Sequence, residues 1–420
     1  MDRVLYPASL RGEIAAISSK SCAHRALICA AFCPTPTELK LSALSQDVQA
    51  TIHCLRALGA QIYPTDEVLH VEPIRKAAAA PLLDCGESGS TLRFLLPVAA
   101  ACTDKALFQG HGRLPDRPLA PLLDQLADHG ATANASALPL QISRLTHGGR
   151  FQLPGTVSSQ FASGLLLAAP LLQETVVIDF TSPPESLDYI EITRHMLAWF
   201  GVTAERTETG YRVEGEQHYN SPGYITIEGD WSNSAFWLVG GALSEQGITM
   251  TGLSSDSPQG DRQILNLLTA MGADLIWDGP LLTVKRTKRL HAISIDAAQI
   301  PDLVPILAVA AALAEGTTCI HHVARLRLKE SDRLATTIQL IQDLGGRAQE
   351  ETDAICITGV ERLFGGQTTS QNDHRIAMSA AIAATVCQDP VRLQESQVVA
   401  KSYPEFWQDY EHLGGKAYVL

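Results

Sequence analysis

The sequence predicts an α/β (α+β) protein of two domains, each built from three βαβαββ units, and three periodic features carry that prediction. Six leucine-rich runs stop at a glycine: CLRALGA, LLDQLADHGA, HMLAWFGV, LNLLTAMGA, LIQDLGG and YEHLGG. Their glycines, Gly59, Gly130, Gly201, Gly272, Gly345 and Gly414, are spaced by 71, 71, 71, 73 and 69 residues. A column of polar helix starts keeps the same beat near Ser21, Ser90, Ser159, Ser232, Asp302 and Asp373, with steps of 69, 69, 73, 70 and 71. After the glycines come β-rich stretches such as AQIYPTDEVLHVE, ADLIWDGPLLTVKR and RAQEETDAICITG. A fixed period of self-similarity decides architecture before any single motif does.

Each element of the unit has its own warrant. The runs RALICAAF, FLLPVAAA, GLLLAAPLL, AFWLVGGAL, ILAVAAALA and IAMSAAIAA are apolar on nearly every face, which suits a helix buried on all sides. The second helix of each unit, as in DVQATIHCLRALG, carries apolar residues three and four apart and reads as amphipathic. Glycine then fits the left-handed residue that ends a helix. The alternating stretches that follow read as hairpins. Counting units three and three puts the middle boundary near YITIEGDWSNSA, residues 224–235.

Composition narrows the class. With 420 residues, 45% hydrophobic and 18% charged, the chain is a soluble globular protein too long for one ordinary core. LVPILAVAAALA is too short to span a bilayer, and MDRVLYPASLRGE has no apolar signal core, so the expected location is the cytoplasm. Nine cysteines with no CxxC pair point to buried free thiols in a reducing compartment, with neither disulfides nor a zinc site. A net charge of −13 argues against broad nucleic-acid binding. The Lys- and Arg-rich motifs run against that balance and suggest a concentrated site for small anions.

Those motifs fall at the polar helix starts, where unpaired N–H groups and the helix dipole favour anions. The first is Ser19-Lys20-Ser21-Cys22-Ala23-His24-Arg25, and the second Gly86-Glu87-Ser88-Gly89-Ser90-Thr91-Leu92-Arg93. Arg113-Leu114-Pro115-Asp116-Arg117-Pro118 sets two arginines four apart on a stiff loop, suited to clamping a carboxylate or phosphate. Val157-Ser158-Ser159-Gln160 offers hydroxyls and an amide. Arg327-Leu328-Lys329-Glu330-Ser331-Asp332-Arg333 sets Glu330 among cations, as an acid–base group among anion ligands would be. Asn372-Asp373-His374-Arg375, Lys401 and Asp302 complete the series. Taken singly, each is what a solvated helix cap would show. Their recurrence at corresponding places in the repeats argues for a cationic cleft between two domains.

The combination of SKSCAHRAL, GESGSTLR, RLPDRP, TVSSQF, SLDYIEIT, IPDL, RLKESDR, NDHRIAM and AKSYP, in this order over essentially the whole chain, resembles the 5-enolpyruvylshikimate-3-phosphate synthase family. The resemblance implies an inverse α/β barrel of two domains, residues 1–16 with 230–420 and residues 17–229, closing around substrate. It implies transfer of the enolpyruvyl group of phosphoenolpyruvate to the 5-hydroxyl of shikimate 3-phosphate, through a tetrahedral intermediate, in a monomer without metal or organic cofactor. Carried over by motif, Asp302, Glu330, Lys20 and His374 are catalytic. Asp302 takes the 5-hydroxyl proton and Glu330 handles the methylene proton. Lys20, Ser21, Arg25, Ser158, Ser159, Gln160, Ser186, Tyr189, Asp302 and Lys329 are implied for shikimate 3-phosphate. Lys20, Gly89, Arg93, Arg117, Gln160, Arg333, Arg375 and Lys401 are implied for phosphoenolpyruvate.

The sequence also departs from the family pattern. The turn often written NAGT is Glu87-Ser88-Gly89-Ser90 here, and Arg325 stands where some members carry an Asn ligand. Gly89 is kept, as in glyphosate-sensitive members, although its neighbours differ. A sister family acting on UDP-N-acetylglucosamine begins with a KN-type motif and carries a Cys in the loop that here reads HGRLPDRP. A non-enzymatic anion-binding scaffold would have no need of a matched acid and base.

Overall fold

The computed structural model describes residues 1–65 and 68–420. Two compact units divide the chain: Met1–Ile17 with Glu228–Leu420, and Ser18–Ile227. The twelve α-helices of the described residues are α1 Lys20–Ala31, α2 Gln46–Leu58, α3 Gly89–Cys102, α4 Ala120–Asp128, α5 Ser159–Ala168, α6 Leu187–Trp199, α7 Trp231–Leu243, α8 Ile264–Ala270, α9 Val304–Leu313, α10 Arg333–Asp343, α11 His374–Ala384 and α12 Phe406–His412. They alternate in character. The odd-numbered helices begin at the polar column and are buried along most of their length; α7 is buried from end to end apart from Ser232. The even-numbered helices bury only one side and finish just before the glycine column. All six of those glycines have positive φ, between 76° and 121°, a region closed to most side chains.

In the unit Ser18–Ile227, α1, α3 and α5 contribute Leu27, Leu95 and Leu166 to one continuous core. In the other unit α7, α9 and α11 pack on one another. Full burial of one Leu or Ile contributes ~1.5–3 kcal/mol, so each helix triplet contributes substantially to the stability of its unit. They also fix where six helix starts lie.

The strands form five four-stranded sheets and one three-stranded sheet among the described residues. A typical one runs Ser294–Asp296, Thr317–His321, Ala354–Thr358, Arg347–Glu351, with the first pair parallel and the others antiparallel. Two expected hairpins are built differently. After Gly130 only Leu140–Ser143 is a full strand, with a single bridge from Ala133 to Ile142. After Gly414 the strand Lys416–Val419 pairs with Arg3–Tyr6 from the start of the chain. The chain also exchanges strands between repeats. Gly12–Ala15 pairs with Ile248–Thr251, and Tyr224–Thr226 pairs with Thr37–Lys40.

The expectation of free thiols fails at one pair. Cys319 and Cys356 face each other across antiparallel strands and are joined as a disulfide, while the other seven cysteines are free. They lie 37 residues apart, and only the register of the two strands brings them together. Among the described residues no helix is long and apolar enough to cross a membrane, and no group of three or more His, Cys, Asp or Glu is placed to hold a metal.

Candidate active site

The site residues fall into two sets, one in each unit. In Ser18–Ile227 three buried helices start on serine. Ser19 accepts from Cys22 N at 3.4 Å, Ser88 from Thr91 N at 3.2 Å and Ser158 from Gln160 N at 3.3 Å. Each cap is a neutral hydroxyl, so the positive end of the helix dipole is not cancelled locally. Lys20 opens α1 and pairs with Asp47 in the first turn of α2, Nζ to Oδ2 2.9 Å, both side chains 16% exposed. Ser21 follows on α1, and Ser159 opens α5 nearly buried.

Gln160 joins two of these helix starts. Its amide oxygen accepts from Arg93 Nη1 at 2.9 Å and its Nε2 donates to Ser90 Oγ at 2.9 Å. Arg93 is buried, and its Nη2 also reaches Pro118 O at 3.5 Å. Gly89 lies directly against both arginines. A Cβ there would meet Arg117 Nη1 at 2.5 Å and Arg93 Nη1 at 2.7 Å. Glycine thus lets two guanidinium ends lie against the backbone, where a side chain would have to push them aside.

Arg25, expected among the ligands of shikimate 3-phosphate, is held by several groups of the protein itself. It is 2% exposed, and its Nε donates to Thr193 Oγ1 (2.6 Å), Nη1 to Ser21 O (2.6 Å), and Nη2 to Tyr189 O (2.8 Å) and Ser163 Oγ (3.4 Å). It thus locks α1 to α5 and α6. Burial lowers its pKa to about 10, which leaves it a cation at neutral pH. Ser186, just before α6, is buried with φ 53°, a left-handed serine of the kind that costs energy and clusters at working sites.

The second set is an ionic network in the other unit. Arg333, the first residue of α10, is 1% exposed yet meets three carboxylates. Nε donates to Asp373 Oδ2 at 2.9 Å, Nη1 to Asp302 Oδ1 at 2.8 Å and Nη2 to Glu330 Oε2 at 2.5 Å. Asp302 also accepts from Arg375 Nη2 at 2.7 Å, with Lys329 Nζ 3.7 Å away. Burial by itself would raise the Asp302 pKa. Arg375, Lys329 and Arg333 overcome that and hold it well below the usual carboxylate range. For Lys329, burial outweighs the attraction of Asp302 and, with Arg325 and Arg333 nearby, lowers its pKa to about 8. His374, the first residue of α11, is buried, its Nδ1 4.0 Å from Asp373 Oδ1. Lys401 Nζ donates to Asn372 O at 2.8 Å.

Two partners of the expected site residues were given no site role of their own by the sequence. Asp47 looks like an ordinary acidic residue in the first turn of a Ser45-capped helix, and only the fold sets it against Lys20. Asp373 carried a signal, since it occupies the same column as Asp302. Fully buried, it accepts from Ser331 Oγ and Arg333 and caps α11.

Neutral serine caps beside the buried Arg25 and Arg93 suit anion binding, and a carboxylate network threaded by Arg333, Arg375 and Lys329 suits proton transfer as well as anion binding. Comparison with known proteins gives this chemistry a family. The family model described as EPSP synthase (3-phosphoshikimate 1-carboxyvinyltransferase) matches residues 5–410. A protein of Clostridium acetobutylicum named 3-phosphoshikimate 1-carboxyvinyltransferase is 40% identical over 419 residues, covering 98% of this chain and 97% of that protein. One of the same name from Clostridium kluyveri is 39% identical over 418 residues, with 98% and 97% coverage. Among solved structures, an EPSP synthase from Acinetobacter baumannii matches with a TM-score of 0.81 at 24% identity over 100% of both chains. The enolpyruvyl transferase NikO from Streptomyces tendae matches at 0.80 with 18% identity, over 99% of this chain and 98% of that one. At such identities these two structures speak to the fold alone.

Proposed function

This chain belongs to the EPSP synthase (3-phosphoshikimate 1-carboxyvinyltransferase) family, and from that membership we propose how its two sets of residues share one reaction. The enzyme transfers the enolpyruvyl group of phosphoenolpyruvate to the 5-hydroxyl of shikimate 3-phosphate and releases phosphate. The six similarly built sheets support the reading of six βαβαββ units, three to each half of an inverse α/β barrel.

Each step asks for a residue type that is present. Addition forms a bond between the 5-oxygen and C2 of phosphoenolpyruvate, while the methylene carbon gains a proton and the hydroxyl loses one. Elimination then breaks the C2–O bond to phosphate, and the methyl group gives up a proton to restore the double bond. Asp302 receives the hydroxyl proton, and Glu330 delivers and recovers the methylene proton. Ser158, Ser159 and Ser186 hold the 3-phosphate. Lys20, Ser21, Arg25, Gln160, Tyr189 and Lys329 contact shikimate 3-phosphate. Arg93, Arg117, Arg333, Arg375, Lys401 and His374 surround phosphoenolpyruvate, with Lys20, Gln160 and the backbone at Gly89.

The observation that carries the reading is the sharing of one buried guanidinium, Arg333, by Asp302 and Glu330. It keeps both carboxylates in one network before substrate arrives. An arriving anion competes for Arg375 and Lys329, and each contact that Asp302 loses makes it a stronger base. Because an ion pair at 4 Å is worth ~1 kcal/mol in water and ~4 at intermediate screening, exclusion of water strengthens every contact.

The test is phosphate release from phosphoenolpyruvate with shikimate 3-phosphate, run beside UDP-N-acetylglucosamine as acceptor. Release only with shikimate 3-phosphate is expected. Release only with the sugar nucleotide would overturn the acceptor, and silence with both would leave an anion-binding scaffold. A cytoplasmic monomer completes the proposal, with sedimentation at working concentration as its check.

A further inference from the structure

Three non-glycine residues with left-handed backbone, Gln371 (φ 50°), Asn372 (φ 59°) and Glu395 (φ 57°), lie in the unit that holds the carboxylate network; Asn372 bonds Glu395 directly, and Gln371 N donates to Thr369 Oγ1, which in turn donates to Glu395. Such residues cost of order 1–3 kcal/mol each and persist only where surrounding structure enforces them. Here one side chain does most of the enforcing. Glu395 Oε2 accepts from Asn372 N at 3.1 Å, Thr369 Oγ1 at 3.3 Å and Ser370 Oγ at 3.4 Å. The backbone of Glu395 is fixed in turn, its O accepting from Ser370 Oγ at 3.3 Å and its N donating to Asp2 Oδ1 at 3.3 Å.

The turn so held leads directly into site residues. Asn372 O accepts from Lys401 Nζ, and the next residues are Asp373, which anchors Arg333, then His374 and Arg375. The other end of the device leads there too. Glu395 precedes the 3₁₀ segment Ser396–Lys401, which ends at Lys401 itself. Ser396 is anchored independently, its N and Oγ donating to Met1 O at 2.9 and 3.1 Å and its O accepting from Trp407 Nε1 at 3.0 Å. One carboxylate therefore sits at the root of both segments that present Arg375 and Lys401.

We infer that Glu395 is a positioning residue for phosphoenolpyruvate: it holds the left-handed turn Gln371–Asn372 so that Arg375 and Lys401 are presented together. It touches no substrate itself. This rests on the assignment of those two cations to phosphoenolpyruvate.

The experiment is steady-state kinetics on Glu395→Ala, Glu395→Gln and the double variant Glu395→Ala/Asn372→Gly, with KM measured separately for each substrate. In Glu395→Ala the turn relaxes, and KM for phosphoenolpyruvate rises about tenfold, the size expected from releasing one strained residue. KM for shikimate 3-phosphate and kcat change less than twofold. Glu395→Gln keeps an acceptor for Asn372 N and restores most of the affinity. Asn372→Gly removes the steric reason for leaving the left-handed region, so the double variant recovers part of the loss. A merely structural residue would lower the melting temperature without this split between substrates and without rescue by glycine. An unchanged KM for phosphoenolpyruvate in Glu395→Ala, or equal rises for both substrates, overturns the inference. Failure of the unmodified enzyme to release phosphate from the same substrates would instead overturn the functional reading beneath it.

Discussion

The two units start their buried helices differently. In Ser18–Ile227 the caps of α1, α3 and α5 are Ser19, Ser88 and Ser158. In the other unit Asp230 caps α7, Asp373 caps α11 and Asp302 stands two residues before α9. A hydroxyl satisfies an N–H and leaves the dipole field for an incoming anion. A carboxylate satisfies the same group, cancels the field, and then needs cations of its own. Arg333, Arg375 and Lys329 supply them around Asp302 and Asp373. One architecture thus carries uncancelled helix starts where serine caps them and a cation-bound carboxylate network where aspartate does.

The sharpest way to break this contrast is to remove its central acid. Asp302→Ala leaves three cations without their shared partner, and turnover falls ~10²–10⁴-fold, as expected for loss of a general base. Glu330→Gln should fall comparably. Circular dichroism showing normal folding, together with full activity of either variant, would remove its assigned role. The next largest effect comes from making the serine-capped half resemble the other one. Ser158→Asp places a carboxylate where the 3-phosphate is proposed to sit, and like charges in contact cost several kcal/mol. KM for shikimate 3-phosphate should rise on the order of 100-fold while kcat at saturation holds; an unchanged KM would move the phosphate elsewhere.

Gly89→Ala is milder, because the new methyl meets the movable ends of Arg117 and Arg93. The chain should fold normally and lose about tenfold in KM for phosphoenolpyruvate, about one ion pair at intermediate screening or less. A shift confined to shikimate 3-phosphate would argue against the assignment of those arginines. The smallest effect is a titration. Lys329, with its pKa lowered to about 8, is an ammonium below that pH and a neutral amine above it. The charged form offsets Asp302 and is the one proposed to contact the shikimate moiety, so KM for shikimate 3-phosphate should climb as pH rises through about 8. Lys329→Arg, charged throughout, should flatten that climb.

How much of this was legible in the chain depends on how local each feature is. The glycine column marks helix ends because a left-handed terminus is set within one turn, and the buried helices announce themselves by being apolar all round. The acids of RLKESDR and IPDL were found by type and place. Arg25 shows where such reading stops: Thr193, Ser163 and Tyr189 lie 138 to 168 residues away, and nothing near Arg25 foretells them. Its motif marked a ligand, and the fold adds a tie from α1 to α5 and α6. Asp47 and the Cys319–Cys356 pair were hidden for the same reason, since each needs a neighbouring helix or a strand register to acquire meaning.

The pairing of Arg3–Tyr6 with both Lys416–Val419 and Val391–Gln394 reaches into how the molecule is made. A ribosome produces that first strand long before either partner exists. At ~5–20 residues per second the delay is on the order of tens of seconds. Ser18–Ile227 can complete its own sheets during that interval, because the partners of all its strands lie within those residues. The segment that will hold Glu395 through Asp2 and Ser396 through Met1 must meanwhile remain unpaired. Synthesis order therefore lets Ser18–Ile227 form first, and Arg3–Tyr6, made before it, finds its place only after it.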